Sequence, residues 1–280
     1  GIAWAASIGG GGTLIGTPPN GIAVSILAGA GLPAPDFLDW MKFGVPYVLL
    51  AVPLAWGILR LRFPPEVRAI PGGKAALQEE RRELGAWSAG EKATLAGFLL
   101  AVVLWVSNPF LEHLLPAAAL RRLTGLDEYT IALLAALLLF VIPVCWRERR
   151  FALDWSDSKA IDWGTLLLFG GGIALSDALF RTGLAGWIAE SFIGAVGRPS
   201  IWVMVILIVL LIDFLTEVTS NTAVTSMMVP VIISIARGSG ADPVTLSVAV
   251  AVAASMAFML PVATPPNALV YGTGRVAITD

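Results

Sequence analysis

The sequence predicts an all-α, polytopic membrane protein. Three observations carry that reading. Of the 280 residues, 57% are hydrophobic and only 14% charged, where a soluble domain has about a quarter charged; the mean hydropathy is +0.81. Several apolar runs approach the roughly 20 residues a helix needs to cross a bilayer. Those runs are continuous rather than alternating, which argues against a β-barrel. The same composition excludes a cytosolic enzyme and a disordered chain. A net charge of -2 gives no basic field for nucleic acid. Cys145 and His113 are each the sole residue of their kind, which excludes a disulfide scaffold and a multi-histidine or thiolate metal cluster.

The elements follow in order. Residues 1–32 read as a first broken helix and 33–63 as a transmembrane helix. Residues 64–90 form a cytoplasmic loop, and 91–160 hold two transmembrane helices joined to a basic cytoplasmic loop. Residues 161–198 are transmembrane and interfacial, 199–237 a re-entrant hairpin, and 244–280 a second broken helix. Gly1 is not a methionine and no charged stretch opens the chain, so its start reads as the interior of a longer membrane protein.

Lys and Arg placement sets the topology. The loop 60–92 holds Arg60, Arg62, Arg68, Lys74, Arg81, Arg82 and Lys92, and 147–159 holds Arg147, Arg149, Arg150 and Lys159. Two spans separate them, so both face the cytoplasm. The loop 111–128, with only Arg121 and Arg122, and the turn 33–39, with neither Lys nor Arg, face outside. Lys74–Leu84 is a charged helix that either lies on the membrane or stands solvated in its loop.

Thr17-Pro18-Pro19-Asn20-Gly21 recurs as Thr264-Pro265-Pro266-Asn267-Ala268, each inside a long apolar stretch. Two prolines remove two N–H donors from a helix interior and clash with the turn before them, so each motif breaks its helix at membrane depth. Irregular backbone there is tolerated only inside protein or beside water. Thr before Pro reads as an N-cap followed by first-turn prolines, starting new half-helices at about Pro19 and Pro266. Their N-termini suit a carboxylate or similar oxyanion. The carbonyls of Gly16 and Ala263, released before the breaks, suit a small hard cation. Paired interrupted segments are the best sequence pointer to a transporter binding site, and the opposite directions of 1–32 and 244–276 give an inverted repeat.

Residues 213–226 place Asp, Thr, Glu, Thr, Ser, Asn, Thr, Thr and Ser between two apolar runs. Polar groups at membrane depth are expensive and mark function. Ser220, Asn221 and Thr222 cap a helix from about Ala223 and form the tip of the hairpin. Asp213 and Glu217, four apart, either bind protons or cations or take backbone donors. Asp177 and Arg181 read as an ion pair at a helix end.

No Lys or Arg lies within 1–32, 43–59, 93–110, 129–146, 160–180, 199–236 or 238–274. A dianion at mid-bilayer finds only helix ends worth about half a charge each. Bound cations make up the deficit, and Na⁺ suits the hydroxyl, amide and carbonyl oxygens present; protons on Asp213 or Glu217 are the alternative. An intramembrane enzyme lacks a nucleophile–base pair here.

Phe-Leu-Thr-Glu-Val-Thr-Ser220-Asn221-Thr222-Ala resembles the second signature of the divalent anion/sodium symporter family (DASS). Ile15-Gly16-Thr17-Pro18-Pro19-Asn20 and Ala263-Thr264-Pro265-Pro266-Asn267 resemble its two unwound-helix motifs. The resemblance implies a multi-pass protein of a bacterial inner or plasma membrane, working as a lipid-embedded homodimer with an elevator mechanism. It implies a chain continuing on both sides, with a scaffold and a first Ser-Asn-Thr hairpin before Gly1 and a further helix after Asp280. It implies a second sodium site from Thr216, the Thr219 carbonyl, Asn221 and the Ala263 carbonyl, and a first using Gly16. Substrate carboxylates would meet Ser220, Asn221, Thr222, Thr264, Pro265, Thr17 and Pro18. The implied substrates are C4-dicarboxylates such as succinate, malate and fumarate. Alternatives are sulfate or another anion in the same family, or related transport of citrate, arsenite or Na⁺/H⁺.

Overall fold

A computed structural model describes residues 1–64, 72–114, 128–161, 163–197, 200–274 and 276. Arg68, Arg121, Arg122 and residues 277–280 lie outside the described residues. The chain divides into two compact units, one of Gly1–Leu59 with Asp162–Asp280 and one of Arg60–Ile161.

The first unit opens with α1 (Ile2–Gly10), α2 (Pro18–Gly29) and α3 (Phe37–Arg62). Pro18 and Pro19 occupy the first turn of α2, where missing N–H groups cost nothing. The unit resumes with α7 (Trp163–Arg181), α8 (Leu184–Val196), α9 (Ile201–Val218), α10 (Asn221–Ser239), α11 (Pro243–Ala254) and α12 (Pro265–Gly272). Gly183, with φ +75°, ends α7, and α8 leaves at 70° to it. Ser200 caps α9, accepting from Val203 N at 3.5 Å. Gly240 closes α10 at φ +77°. Asp242 caps α11, with Pro243 in its first turn.

α10 is the centre of this unit, packed against α11, α7, α8 and α2. Val224, Val229, Ile232 and Ile233 are buried along it. Its approach to α7 is possible only because Gly172 has no side chain: a Cβ there would overlap the Ser226 side chain. At the far end of the hairpin Ser239 Oγ reaches Met204 Sδ at 3.8 Å, so α9 and α10 converge again where they are most distant in sequence. Arg181 Nε donates to Asp177 at 3.0 Å on the exposed end of α7. Arg237 Nη2, at the end of α10, donates to Ala30 O at the end of α2 at 3.2 Å.

The second unit comprises α4 (Gly73–Leu84), α5 (Ala89–Leu114), α6 (Glu128–Val141), a small antiparallel ribbon of β1 (Pro143–Cys145) and β2 (Arg150–Phe151), and a 3₁₀ turn at Trp155–Ala160. A reciprocal capping box starts α5: Glu91 N donates to Ser88 Oγ at 3.1 Å and Ser88 N to Glu91 Oε2 at 2.7 Å. α5 and α6 pack together where Gly97 meets Leu139. His113 lies within α5, where the loop 111–128 is expected.

Among the described residues four helices are long and apolar enough to cross a membrane, over Phe37–Arg62, Ala89–Ser107, Ile201–Val218 and Asn221–Ser239; the bent α7–α8 pair makes up to five. Large apolar side chains stand exposed along them, Leu50 of α3 at 75% and Trp202 of α9 at 75%. In water such surfaces drive association; in lipid they are the ordinary outer face of a span. Trp56, Trp163, Trp187 and Trp202, all exposed, lie near helix ends, as in the aromatic belts of membrane proteins.

Candidate functional site

The first break runs from Gly11 to Thr17. Gly9–Gly12 offer no side chains, so other groups must hold this stretch. Trp40 of α3, fully buried, donates its indole N–H to Gly11 O at 3.0 Å. Gly44, one turn on, lies so close that a Cβ would come within 2.7 Å of the carbonyl oxygens of both Gly11 and Gly12. Asn20, fully buried in the first turn of α2, donates to Gly10 O at 3.1 Å and Thr13 O at 2.9 Å. Gly16 presses against the backbone of Gly10, leaving no room for a side chain. Thr17 is the extended N-cap residue, at φ -150° and ψ 145°.

The second break runs from Ser255 to Thr264. Thr264 has the same extended backbone, φ -140° and ψ 149°, and its hydroxyl accepts from Asn267 N at 3.3 Å. Asn267 donates to Ala257 O at 2.9 Å and Leu260 O at 3.3 Å. The unwound N–H groups of Met259 and Leu260 donate to the two carboxylate oxygens of Glu217, at 2.8 and 2.7 Å. Glu217 is 3% exposed. Of its two readings, the structure favours backbone capping: both oxygens are committed to the loop.

The hairpin tip lies between α9 and α10. Thr219 and Ser220 are extended, and α10 begins at Asn221 rather than near Ala223. The helix starts earlier because its polar first turns are satisfied internally: Thr225 Oγ1 donates to Asn221 O and Ser226 Oγ to Thr222 O, both at 2.8 Å. Ser220 Oγ and Thr222 Oγ1 pair with each other at 2.7 Å. Thr216, fully buried, sets its hydroxyl 2.5 Å from Asn221 Oδ1 and 2.8 Å from Ala254 O, the last carbonyl of α11.

The two breaks adjoin. Trp4 of α1 stacks obliquely on Phe258 of the second break, ring centroids 5.3 Å apart, and Ser255 Oγ lies near Thr17 Oγ1. Of the residues expected at the site, Thr216 and Asn221 meet directly and Thr17 reaches the second break. Ser220 and Thr222 engage each other. Thr264 caps α12, Pro18 and Pro265 open their half-helices one residue before the expected starts, and Gly16 and Ala263 sit four residues before the two asparagines. Asn20, Asn267, Trp40, Ser255 and the Ala254 carbonyl are partners that sequence reasoning missed. Only the proline pair hinted at the asparagines, since a broken helix leaves carbonyls that need a donor.

The donors gathered at Thr216 are neutral oxygens. Among the described residues no three His, Cys, Asp or Glu side chains converge on a point. That donor set suits a small hard monovalent cation and offers nothing to a transition metal.

A chain with interrupted half-helices, a polar hairpin tip and an interior without basic side chains has the parts of a secondary transporter. The whole of it, residues 1–280, matches the family described as the sodium:sulfate symporter transmembrane region. The chain belongs to that family. It is 39% identical over 282 residues to a protein of Staphylococcus saprophyticus named sodium-dependent dicarboxylate transporter SdcS, covering 99% of this chain and 53% of that protein. The proteins of the same name from Staphylococcus aureus strains RF122 and MW2 are 38% identical over 283 residues, covering 99% of this chain and 52% of each. The chain spans about half the length of the curated relatives it matches.

Proposed function

We propose that this chain carries one half of the binding site of a sodium-coupled symporter for C4-dicarboxylates such as succinate, malate and fumarate. The observation that carries the reading is the position of Thr216 Oγ1 between Asn221 Oδ1 and the Ala254 carbonyl. One hydroxyl proton serves two acceptor oxygens, so a surplus of lone pairs faces a common point. Carbonyls at a half-helix C-terminus are where transporters hold Na⁺. Thr216, the Thr219 carbonyl, Asn221 and the Ala263 carbonyl form the second sodium site in this reading, and Gly16 contributes to the first. Ser220, Asn221, Thr222, Thr264, Pro265, Thr17 and Pro18 receive the substrate carboxylates.

The interior supplies the charge logic. Two half-helix N-termini contribute about one positive charge between them, short of a dianion's two, and bound Na⁺ completes the balance. Glu217, with both oxygens on backbone N–H groups, favours Na⁺ over a carried proton. Arg237 ties the end of α10 to the end of α2, and Ser255 ties the end of α11 to the start of α2. α2 and α11 therefore run in opposite senses, which supports an inverted repeat. In this reading the intact transporter is a homodimer of a bacterial plasma membrane and moves its site by an elevator motion.

The test is succinate uptake by the intact transporter in proteoliposomes under an imposed Na⁺ gradient. Uptake is expected to follow the gradient, to yield little to competing sulfate, and to vanish in Asn221→Ala, which removes a cation ligand and a substrate contact together. Uptake indifferent to Na⁺, or unimpaired in the variant, sinks the reading; displacement of succinate by sulfate points to the sulfate alternative.

A further inference from the structure

Asn20 and Asn267 make the same bonds at the same spacing. Each side-chain amide donates to the carbonyls ten and seven residues before it, Gly10 and Thr13 in one case and Ala257 and Leu260 in the other. The turn between is repeated too: Gly16 N donates to Thr13 O at 3.1 Å and Ala263 N to Leu260 O at 3.2 Å. In each motif the backbone N–H of the asparagine is turned aside, to Thr17 O at 3.2 Å or to Thr264 Oγ1 at 3.3 Å. The carbonyls of Gly16 and Ala263 thereby miss the bond that a continuous helix would give them.

Asn20 makes these bonds at some cost. It is fully buried, and its Oδ1 has no hydrogen-bond partner among the described residues. A buried polar atom left bare is unfavourable, so the residue's contribution lies in its two N–H groups.

We infer that Asn20 and Asn267 are paired positioning residues: each amide gathers two freed carbonyls of its break and so leaves the carbonyl of Gly16 or Ala263 unclaimed and available to a cation. The asparagines do not touch the cation; they set which backbone oxygen does. The inference rests on the sodium reading above. Groups that orient a metal's ligands, without binding it, change affinity by about 10–100-fold when removed.

The experiment uses Asn20→Asp and Asn267→Asp in the intact transporter, since aspartate keeps the size and loses the paired donors. Two quantities are read: the Na⁺ concentration giving half-maximal succinate uptake, and the shift in thermal unfolding of the purified protein on replacing K⁺ by Na⁺. The half-maximal concentration is expected to rise about tenfold or more, with uptake at saturating Na⁺ kept within a few-fold and the Na⁺-dependent thermal shift reduced. Unchanged Na⁺ dependence in folded variants overturns the inference. Should the aspartate forms not fold, Asn20→Gln and Asn267→Gln, which keep the donors on a longer arm, decide it: an intermediate rise supports positioning, and a wild-type value reduces the asparagines to packing. Unaltered protein whose uptake and unfolding both ignore Na⁺ brings down the sodium reading, and this inference with it.

Discussion

Ser255 Oγ lies 3.4 Å from Thr17 Oγ1, although 238 residues separate them. The contact joins the C-terminal end of α11 to the N-cap of α2. It places the negative end of one half-helix beside the positive end of another, a pairing that suits a site holding a cation and an anion side by side.

Thr216→Val keeps the shape of the side chain and removes its hydroxyl from between Asn221 and Ala254. The loss of Na⁺-dependent uptake is expected to be tenfold or more, whereas Thr216→Ser retains most of it. Uptake rates over a range of Na⁺ concentrations check both; a valine variant with an unchanged Na⁺ profile removes Thr216 from the site.

Glu217→Gln turns one of the two acceptors facing Met259 and Leu260 into a donor. A buried N–H then opposes an N–H, at about 1–3 kcal/mol. Thermal unfolding in detergent is expected to show the loss, and hydrogen exchange at Met259 and Leu260 should quicken. Protection unchanged at those two amides would contradict the hydrogen bonding described.

Gly172→Val forces a branched side chain into the space of Ser226 and costs about 1–3 kcal/mol or more through overpacking. Gly171→Ala on the same helix meets nothing within 4 Å and is expected to be neutral or stabilising by about 0.5–1 kcal/mol, the helix-propensity difference. Paired unfolding measurements test whether α7 and α10 touch at this point.

Asp242, outside the spans, is held below the usual carboxylate range, chiefly by the Thr245 hydroxyl and then by the N–H groups of Thr245 and Val244. A group whose folded value is lowered contributes stability above its unfolded value, near 3.8, and loses it as pH falls through the folded one. Asp242→Ala is therefore expected to cost about 0.5–2 kcal/mol at neutral pH, with the deficit shrinking below about pH 4. Unfolding of both proteins between pH 3 and 7 measures it; a deficit independent of pH would show that the carboxylate charge is not what caps α11.

Much of this architecture is legible in the sequence. Prolines 18, 19, 265 and 266 cannot continue a helix, and the threonine before each pair caps the next, so both breaks fall where the sequence puts them. The hairpin tip was legible because polar residues between apolar runs have few places to go. What escaped was of one kind. Glu217 meets N–H groups 42 and 43 residues away, Trp40 a carbonyl 29 residues away, and Thr216 a carbonyl 38 residues away. Each bond runs from a side chain to a backbone atom. Every residue carries the same backbone atoms, so the backbone partner leaves no mark in the sequence. The early start of α10 escaped for a related reason: Asn221 and Thr222 read as tip residues, but their carbonyls accept from the hydroxyls of Thr225 and Ser226 one turn on.

Thr216 and Glu217 are neighbours on α9, yet one gives a proton to the carbonyl of Ala254 and the other receives two from Met259 and Leu260. A plug with one positive and one negative pin fits its socket in a single orientation. Turning α9 by one residue, about 100°, would bring the Glu217 carboxylate against the Ala254 carbonyl, acceptor against acceptor. The last turn of this helix is therefore keyed to the unwound strand beneath it, and cannot roll without first being pulled out.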